Sequence, residues 1–290
     1  SGNLYRCYVA GGCGNVASNT ASLTISSPAK GLHFDGVDDY VSIPSIAGNN
    51  FAVNQNFTVA VWVKIPSTPQ LYTTYIDNSI VEKWDANTGG YPYVIRYYNQ
   101  TAGANAGKVL FARYNGSSSS AVFSTMTLND DQWHHIAAVK SGTQIQLYID
   151  GALNASATDL TTGTTTNTSA VYLGRRGNNF YNWFNGTIDE LSIWDRALCR
   201  GEILNNMNCE LNPTGQSNLT GLYSFNNGYV NSNNAGITTL ADASVSANNG
   251  TLNGFGLTGN TSNWTSGWPN GACATFVPLS ATATNSSPVS

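Results

Sequence analysis

An all-β sandwich is the fold class that this sequence predicts, and three observations predict it. Short segments of alternating apolar and polar residues recur from Leu32 to Trp194. Clusters of Gly, Asn and Ser separate them, and helical periodicity is nearly absent. The chain is 41% hydrophobic but only 10% charged. Few charges and many small polar residues suit a β-rich extracellular protein, whereas a helical cytosolic enzyme carries more Glu, Lys and Arg.

Taken in order, residues 1–27 read as a separate piece. Tyr5-Arg6-Cys7-Tyr8-Val9 and Ala21-Ser22-Leu23-Thr24-Ile25 alternate like two strands around a Gly-rich turn. Ser26-Ser27-Pro28 reads as a linker. Residues 28–270 hold the main domain. Phe57 to Ile65 places Phe57, Val59, Val61, Val63 and Ile65 on one face of a strand. Further strand patterns run over 93–98, 108–114, 133–140, 144–149, 170–174 and 187–194. On 93–98, Tyr93, Ile95 and Tyr97 are expected in the core, because Arg96 rarely goes inside unpaired. Asp150-Gly151 is a hairpin turn signal. The one helical pattern is Arg200 to Met207, weakened by Gly201. Residues 211–270 carry too little apolar surface for a core of their own and are expected to add strands to the same sandwich. Residues 271–290, rich in Ser, Thr and Ala, read as a linker or the start of a further module.

The net charge of −4 leaves no basic footprint for nucleic acid and no polybasic membrane anchor. No run of about 18 apolar residues exists, so no segment reads as membrane-spanning. Ser1-Gly2-Asn3 lacks the features of a signal peptide and reads as a cut inside a longer protein. There are five cysteines, at 7, 13, 199, 209 and 273, and none forms a C-x-x-C pair. Cys199 and Cys209 are the best disulfide candidates, closing a short loop for about 2–3 kcal/mol. The alternative for them is two buried free thiols.

Several motifs resemble a known family. They are Phe34-Asp35-Gly36-x-Asp38-Asp39-Tyr40-Val41, the Phe57 to Lys64 strand, Ile80-Val81-Glu82-Lys83, Asp131-x-Trp133-His134-His135, Leu147-Tyr148-Ile149-Asp150-Gly151 and Gly186 to Leu198. In this order they resemble the laminin-G-like, pentraxin-like jelly rolls of secreted bacterial multidomain proteins. The resemblance implies a concanavalin A-like sandwich of two antiparallel sheets. In it Leu32 to Val41 and Gly186 to Asp195 are the opening and closing strands. Residues 1–27 resemble, over a short stretch, the last two strands of an immunoglobulin-like domain. The family implies non-catalytic binding, mostly of carbohydrate and often with calcium, on a secreted or cell-surface protein, and leaves the ligand open.

Three groups of residues are candidate sites. Asp35, Asp38 and Asp39 lie within five residues beside a glycine, and calcium takes six to eight oxygen ligands. With Asp189, which the resemblance brings near the opening strand, they are expected to hold one structural calcium. The alternative is turn aspartates that cap backbone amides. The sugar-bridging acidic cluster of pentraxins should follow Gly174, but Arg175-Arg176-Gly177-Asn178 stands there without a carboxylate. That loop is the first candidate ligand surface, through Arg175, Arg176, Asn178, Asn179, Tyr181 and Trp183: aromatic rings stack on sugars, and guanidinium groups grip carboxylate or sulfate. The second is Trp84, Tyr91, Arg96 and Tyr98, exposed aromatics and a cation on one rim. The arginines suit an anionic polysaccharide. The bland alternative pairs them with acids elsewhere. Trp62, Trp133 and Trp194 are expected in the core, Glu82 and Lys83 at the surface or an edge, and His134 and His135 are given no chemistry.

The same sandwich carries glycoside hydrolases, which set two carboxylates about 5–5.5 Å apart for retention. No Glu-x-Asp-x-x-Glu run occurs, and Asp189 and Glu190 are neighbours that face opposite ways. The sequence therefore points to a non-catalytic carbohydrate-binding module for a polysaccharide or cell-surface glycan, within a longer parent chain. The alternative is an adhesin or structural module that binds protein or nothing.

Overall fold

The computed structural model describes residues 29–71, 74–84, 89–177 and 182–268, and the backbone of four short strands ahead of them. Those four are β1 (Asn3–Tyr5), β2 (Tyr8–Gly11), β3 (Gly14–Ala17) and β4 (Ala21–Leu23). β1 pairs with β4 and β2 with β3, both antiparallel, so the expected hairpin is two nested ladders.

Sixteen more strands, numbered in chain order, make two sheets of eight. The first runs β11 (Ser119–Phe123), β10 (Val109–Tyr114), β9 (Tyr91–Tyr98), β8 (Asp77–Glu82), β15 (Val171–Leu173), β6 (Tyr40–Ile43), β19 (Gly250–Asn253), β18 (Thr239–Leu240). The second runs β14 (Ala152–Thr158), β13 (Gln144–Ile149), β12 (Trp133–Ser141), β7 (Phe57–Lys64), β16 (Asn185–Trp194), β5 (Lys30–Asp35), β20 (Trp264–Ser266), with β17 (Leu219–Tyr223) also on β16. β5 and β16 pair with Leu32 opposite Ile188 and Asp35 opposite Asn185, so the two distant acidic segments are antiparallel neighbours.

Period-2 alternation builds the core between the sheets. Phe57, Val59, Val61, Val63 and Ile65 are fully buried and share one cluster with Tyr93, Ile95 and Tyr97. The Asp150-Gly151 turn joins β13 to β14 with both residues at positive φ, 50° and 74°, as a two-residue hairpin loop requires. The predicted helix is α1 (Arg200–Met207). Its Ile203 packs with Leu198, Leu219 and Leu222 over Ala60, Ala137 and Trp194 on the outer side of the second sheet. No helix among the described residues is long and apolar enough to cross a membrane.

Four expectations need correction. Trp62 and Trp194 are buried as expected, but Trp133 is only half-buried, and neither Trp62 nor Trp133 joins a core cluster. They alternate with Val61 and Val63 and with Ile136, so they point to the outer face. Glu82 and Lys83 are wholly buried, not at the surface. Lys83 donates to Ser45 Oγ at 2.7 Å and to the Ser169 carbonyl, and burial pushes its pKa down to about 7. The Cys199–Cys209 bridge is absent: Cys199 is free and exposed, and Cys209 is disulfide-bonded elsewhere. The physical reason is α1 itself, which holds the two cysteines about 12–15 Å apart along its axis, beyond the roughly 4.4–6.8 Å that a disulfide tolerates. The fourth correction concerns Asp189, described with the aspartate cluster below.

Candidate functional site

Strands β8, β9 and β10 send alternate side chains away from the core, and these form the outer face of the first sheet. Val94, Leu110 and Ala112 make its floor, with Trp84, Tyr91, Tyr98 and Phe123 packed on them. Tyr98 meets Phe123 edge-on with ring centroids 4.8 Å apart. Arg96 crosses this floor. Its Nε donates to Glu82 Oε2 at 3.1 Å, its Nη2 to Glu82 Oε1, and its Nη1 lies 3.5 Å from Asp77. Burial opposes the Arg96 cation, but the Glu82 and Asp77 carboxylates outweigh it and hold its pKa above the ordinary value.

The loop after β15 reaches the same place. Arg176 Nη2 donates to both oxygens of Asp77, at 2.6 and 2.7 Å, and Asn182 Nδ2 donates to Asp77 Oδ1 at 2.6 Å. The guanidinium carbons of Arg96 and Arg176 lie 5.9 and 5.5 Å from the Trp84 ring. The two candidate surfaces are therefore one, knotted at Asp77 and Trp84. Arg175 plays a different part. It is 5% exposed and wedged between the rings of Tyr40 and Tyr172, 3.9 and 4.4 Å from their centroids. Trp183, 8% exposed, packs on Tyr40 beside it. Arg175 and Trp183 underpin the surface rather than present themselves on it. Asn178, Asn179 and Tyr181 lie outside the described residues.

Asp77 and Glu82 are the residues that sequence reasoning missed as parts of this surface. Asp77-Asn78-Ser79 is polar, yet it opens β8. The available signal was charge: two surface-bound arginines in one region demand acids nearby.

The aspartates behave differently from one another. Carboxylate oxygens of Asp35, Asp38 and Asp39 come within 4.8 Å of one another. Asp35 Oδ1 accepts the Val37 amide at 2.8 Å, and Asp39 accepts the Asp35 amide at 2.9 Å and the Ser262 hydroxyl at 2.8 Å. The capping alternative is thus realised, while Asp38 stays exposed and each capping oxygen keeps a second lone pair. Burial, opposed by the Ser262 hydrogen bond, pushes the Asp39 pKa up to about 7. Asp189 is not with them. The antiparallel register sets Asp35 opposite Asn185, four residues before Asp189, or about 13 Å along the strand. Its buried carboxylate accepts the amides of Glu190 and Trp268, both at 2.8 Å. Beside Asp35 opens a cleft of about 560 Å³ lined by His33, Lys64, Asp131, Asn185 and Thr187 among others, with no Trp, Tyr or Phe among its described lining residues.

A family model described as the concanavalin A-like lectin/glucanases superfamily, of the third laminin-G type, matches residues 35–204. The chain belongs to that superfamily. Its members' scaffold recurs in a crystal structure of a Bacteroides ovatus protein provisionally named as carbohydrate binding. The two share 17% identity and a TM-score of 0.61, over 88% of this chain and 69% of that one. A heptameric SAP-like pentraxin from Limulus polyphemus is similar at 17% identity and TM-score 0.47, over 64% of this chain and 85% of that one. Domains LG4–5 of the mouse laminin α1 chain are similar at 17% identity and TM-score 0.45, over 62% and 46%. At such identities the likeness concerns the fold. No curated protein matches the sequence.

Within this lectin-like scaffold both described acids of the aromatic face, Asp77 and Glu82, are engaged by guanidinium groups. Glu190 carries a pKa raised to about 8, by burial first and by the Glu210 charge second. It is buried on the outer side of the second sheet beside Trp62 and His135, remote from that face.

Proposed function

We propose that this chain is a non-catalytic carbohydrate-binding module of a secreted or cell-surface protein, and that it holds a polysaccharide or cell-surface glycan on the outer face of the first sheet. The observation that carries the reading is the convergence of Arg96 and Arg176 on Trp84. Segments almost a hundred residues apart in sequence meet to build a half-exposed aromatic platform rimmed by fixed polar groups. Such a surface offers rings to the apolar faces of a sugar and oriented donors and acceptors to its hydroxyls. Pairing of both arginines with Asp77 and Glu82 favours an uncharged glycan, because an anionic one has to displace a carboxylate already in place. The same pairing favours binding over hydrolysis, since neither acid is left as a free proton donor. Asp35, Asp38 and Asp39 are, on this reading, ligands of one structural calcium, with oxygen chemistry that suits a hard cation.

The test is a glycan array probed with the wild-type chain and with Trp84→Ala and Arg176→Ala. A neutral glycan signal that falls about tenfold or more in both variants, a loss of about 1.4 kcal/mol, supports the reading. Folded variants with the wild-type array profile remove this face from the account.

A further inference from the structure

Helix α1 and β17 cover only part of the second sheet's outer side. Beyond them Trp62, Gln132, Trp133, Asp150 and Trp268 line an open cleft of about 300 Å³. The cleft is a built feature. Trp62 forms its floor, with Nε1 bonded to the Met207 carbonyl at 3.0 Å. Trp268 forms a wall, 42% exposed, its ring centroid 6.1 Å from that of Trp62 at 69°. Its amide is held at 2.8 Å by the carboxylate of Asp189, which is fully buried. Asp150 is fixed by His134 Nδ1 at 2.8 Å and the His135 amide at 2.9 Å, yet its side chain is 42% exposed. The Gln132 side chain is exposed beside it.

We propose that this cleft is a second carbohydrate site, for an uncharged sugar residue. Indole walls set at a steep angle match the C–H faces of a pyranose ring, and the volume is that of a small-ligand pocket. The Asp150 carboxylate and the Gln132 amide stand where hydroxyls at the ring edge need an acceptor and a donor. An anionic sugar is disfavoured by Asp130 and Asp150, which flank His134. The site lies on the sheet opposite the Trp84 platform, so it is independent of that surface and lets one module touch two polysaccharide chains.

Tryptophan fluorescence tests it, because three of the chain's seven tryptophans line the cleft. The probes are neutral hexasaccharides of glucose, mannose, galactose and xylose, with tetramethylammonium chloride as a cation control. In the wild type at least one hexasaccharide is expected to give a saturable change. The midpoint is expected to stay within about twofold in Trp84→Ala and to weaken about tenfold or more in Trp268→Ala, with Gln132→Ala several-fold weaker as the milder check. Three results overturn the proposal: a Trp268→Ala protein with native circular dichroism that titrates like the wild type, a wild type that answers no hexasaccharide, or saturation by tetramethylammonium alone. Array binding that depends on Trp84 while Trp268→Ala leaves every titration unchanged keeps the first site and removes this one.

Discussion

At the scale of single residues, Glu190 combines backbone strain with a buried charge. It has φ +46°, a left-handed conformation that non-glycine residues rarely adopt. It sits where the pairing of β16 with β7 slips by one residue between Asp189 and Ser192, which makes it part of a β-bulge. The bulge turns its side chain towards a small cavity of about 20 Å³ that it shares with His135. Glu190 Oε1 and His135 Nδ1 have no hydrogen-bond partner among the described residues, and the cavity has room for about one water molecule. Burial also pushes the His135 pKa down to about 4. The sign for Glu190 follows from its raised pKa of about 8. Between the ordinary carboxyl value and 8 the folded chain keeps a proton that the unfolded chain has lost, so stability falls as pH rises through that window. Glu190→Gln keeps the shape and removes the titration. Melts at pH 5 and pH 8 are expected to show a smaller difference in the variant, with a gain of about 1–4 kcal/mol at pH 8. A variant less stable than the wild type at pH 8 contradicts this account.

At the scale of elements, legibility followed burial. β7, β9 and β12 were readable because one full side of each faces the core and the alternation survives in the letters. β11 and β14 were not, because each closes an edge of its sheet and β14 is mostly exposed Ala, Asn, Ser and Thr. The aromatic face was half legible: Trp84, Arg96 and Arg176 stand out, but Asp77 becomes meaningful only when β8 brings it between the two arginines. The disulfide was misread because a ten-residue spacing looks short until α1 straightens it. The Asp35–Asp39 turn carries an element-scale prediction. Three carboxylates crowd there, and the calcium ion proposed above would offset their mutual repulsion and pin the start of β6 to the end of β5. Millimolar calcium is expected to raise the melting midpoint of the wild type by several degrees over a chelator-treated sample. Asp38→Asn, which removes the exposed carboxylate and leaves the turn's hydrogen bonds through Asp35 and Asp39 in place, is expected to shrink that shift. Superimposable melts with calcium and with chelator remove the ion.

At the scale of the whole molecule, the part that matches the superfamily and the part that folds differ. The family match ends at residue 204, yet the core continues. Tyr223, Phe225, Leu240 and Trp264 are buried to within 1% in the same cluster as Phe34 and Val41. Trp264 Nε1 donates to the Phe225 carbonyl at 2.6 Å and ties two of these late segments together. In the sheets, β17 lies on β16, β19 on β6 and β20 on β5. Each large buried side chain contributes about 1.5–3 kcal/mol, so losing these four takes away an amount comparable to the roughly 5–15 kcal/mol that stabilises an ordinary domain. Removal also bares edges of β16, β6 and β5 and leaves Asp189 without Trp268. A chain cut after residue 204 is therefore expected to melt without a cooperative transition and to bind a hydrophobic dye, while a chain cut after residue 268 melts in one step. If the shorter chain unfolds as sharply and at the same midpoint as the longer one, the late strands are an ornament on a complete sandwich, and the second cleft, whose Trp268 wall hangs from them, loses its support.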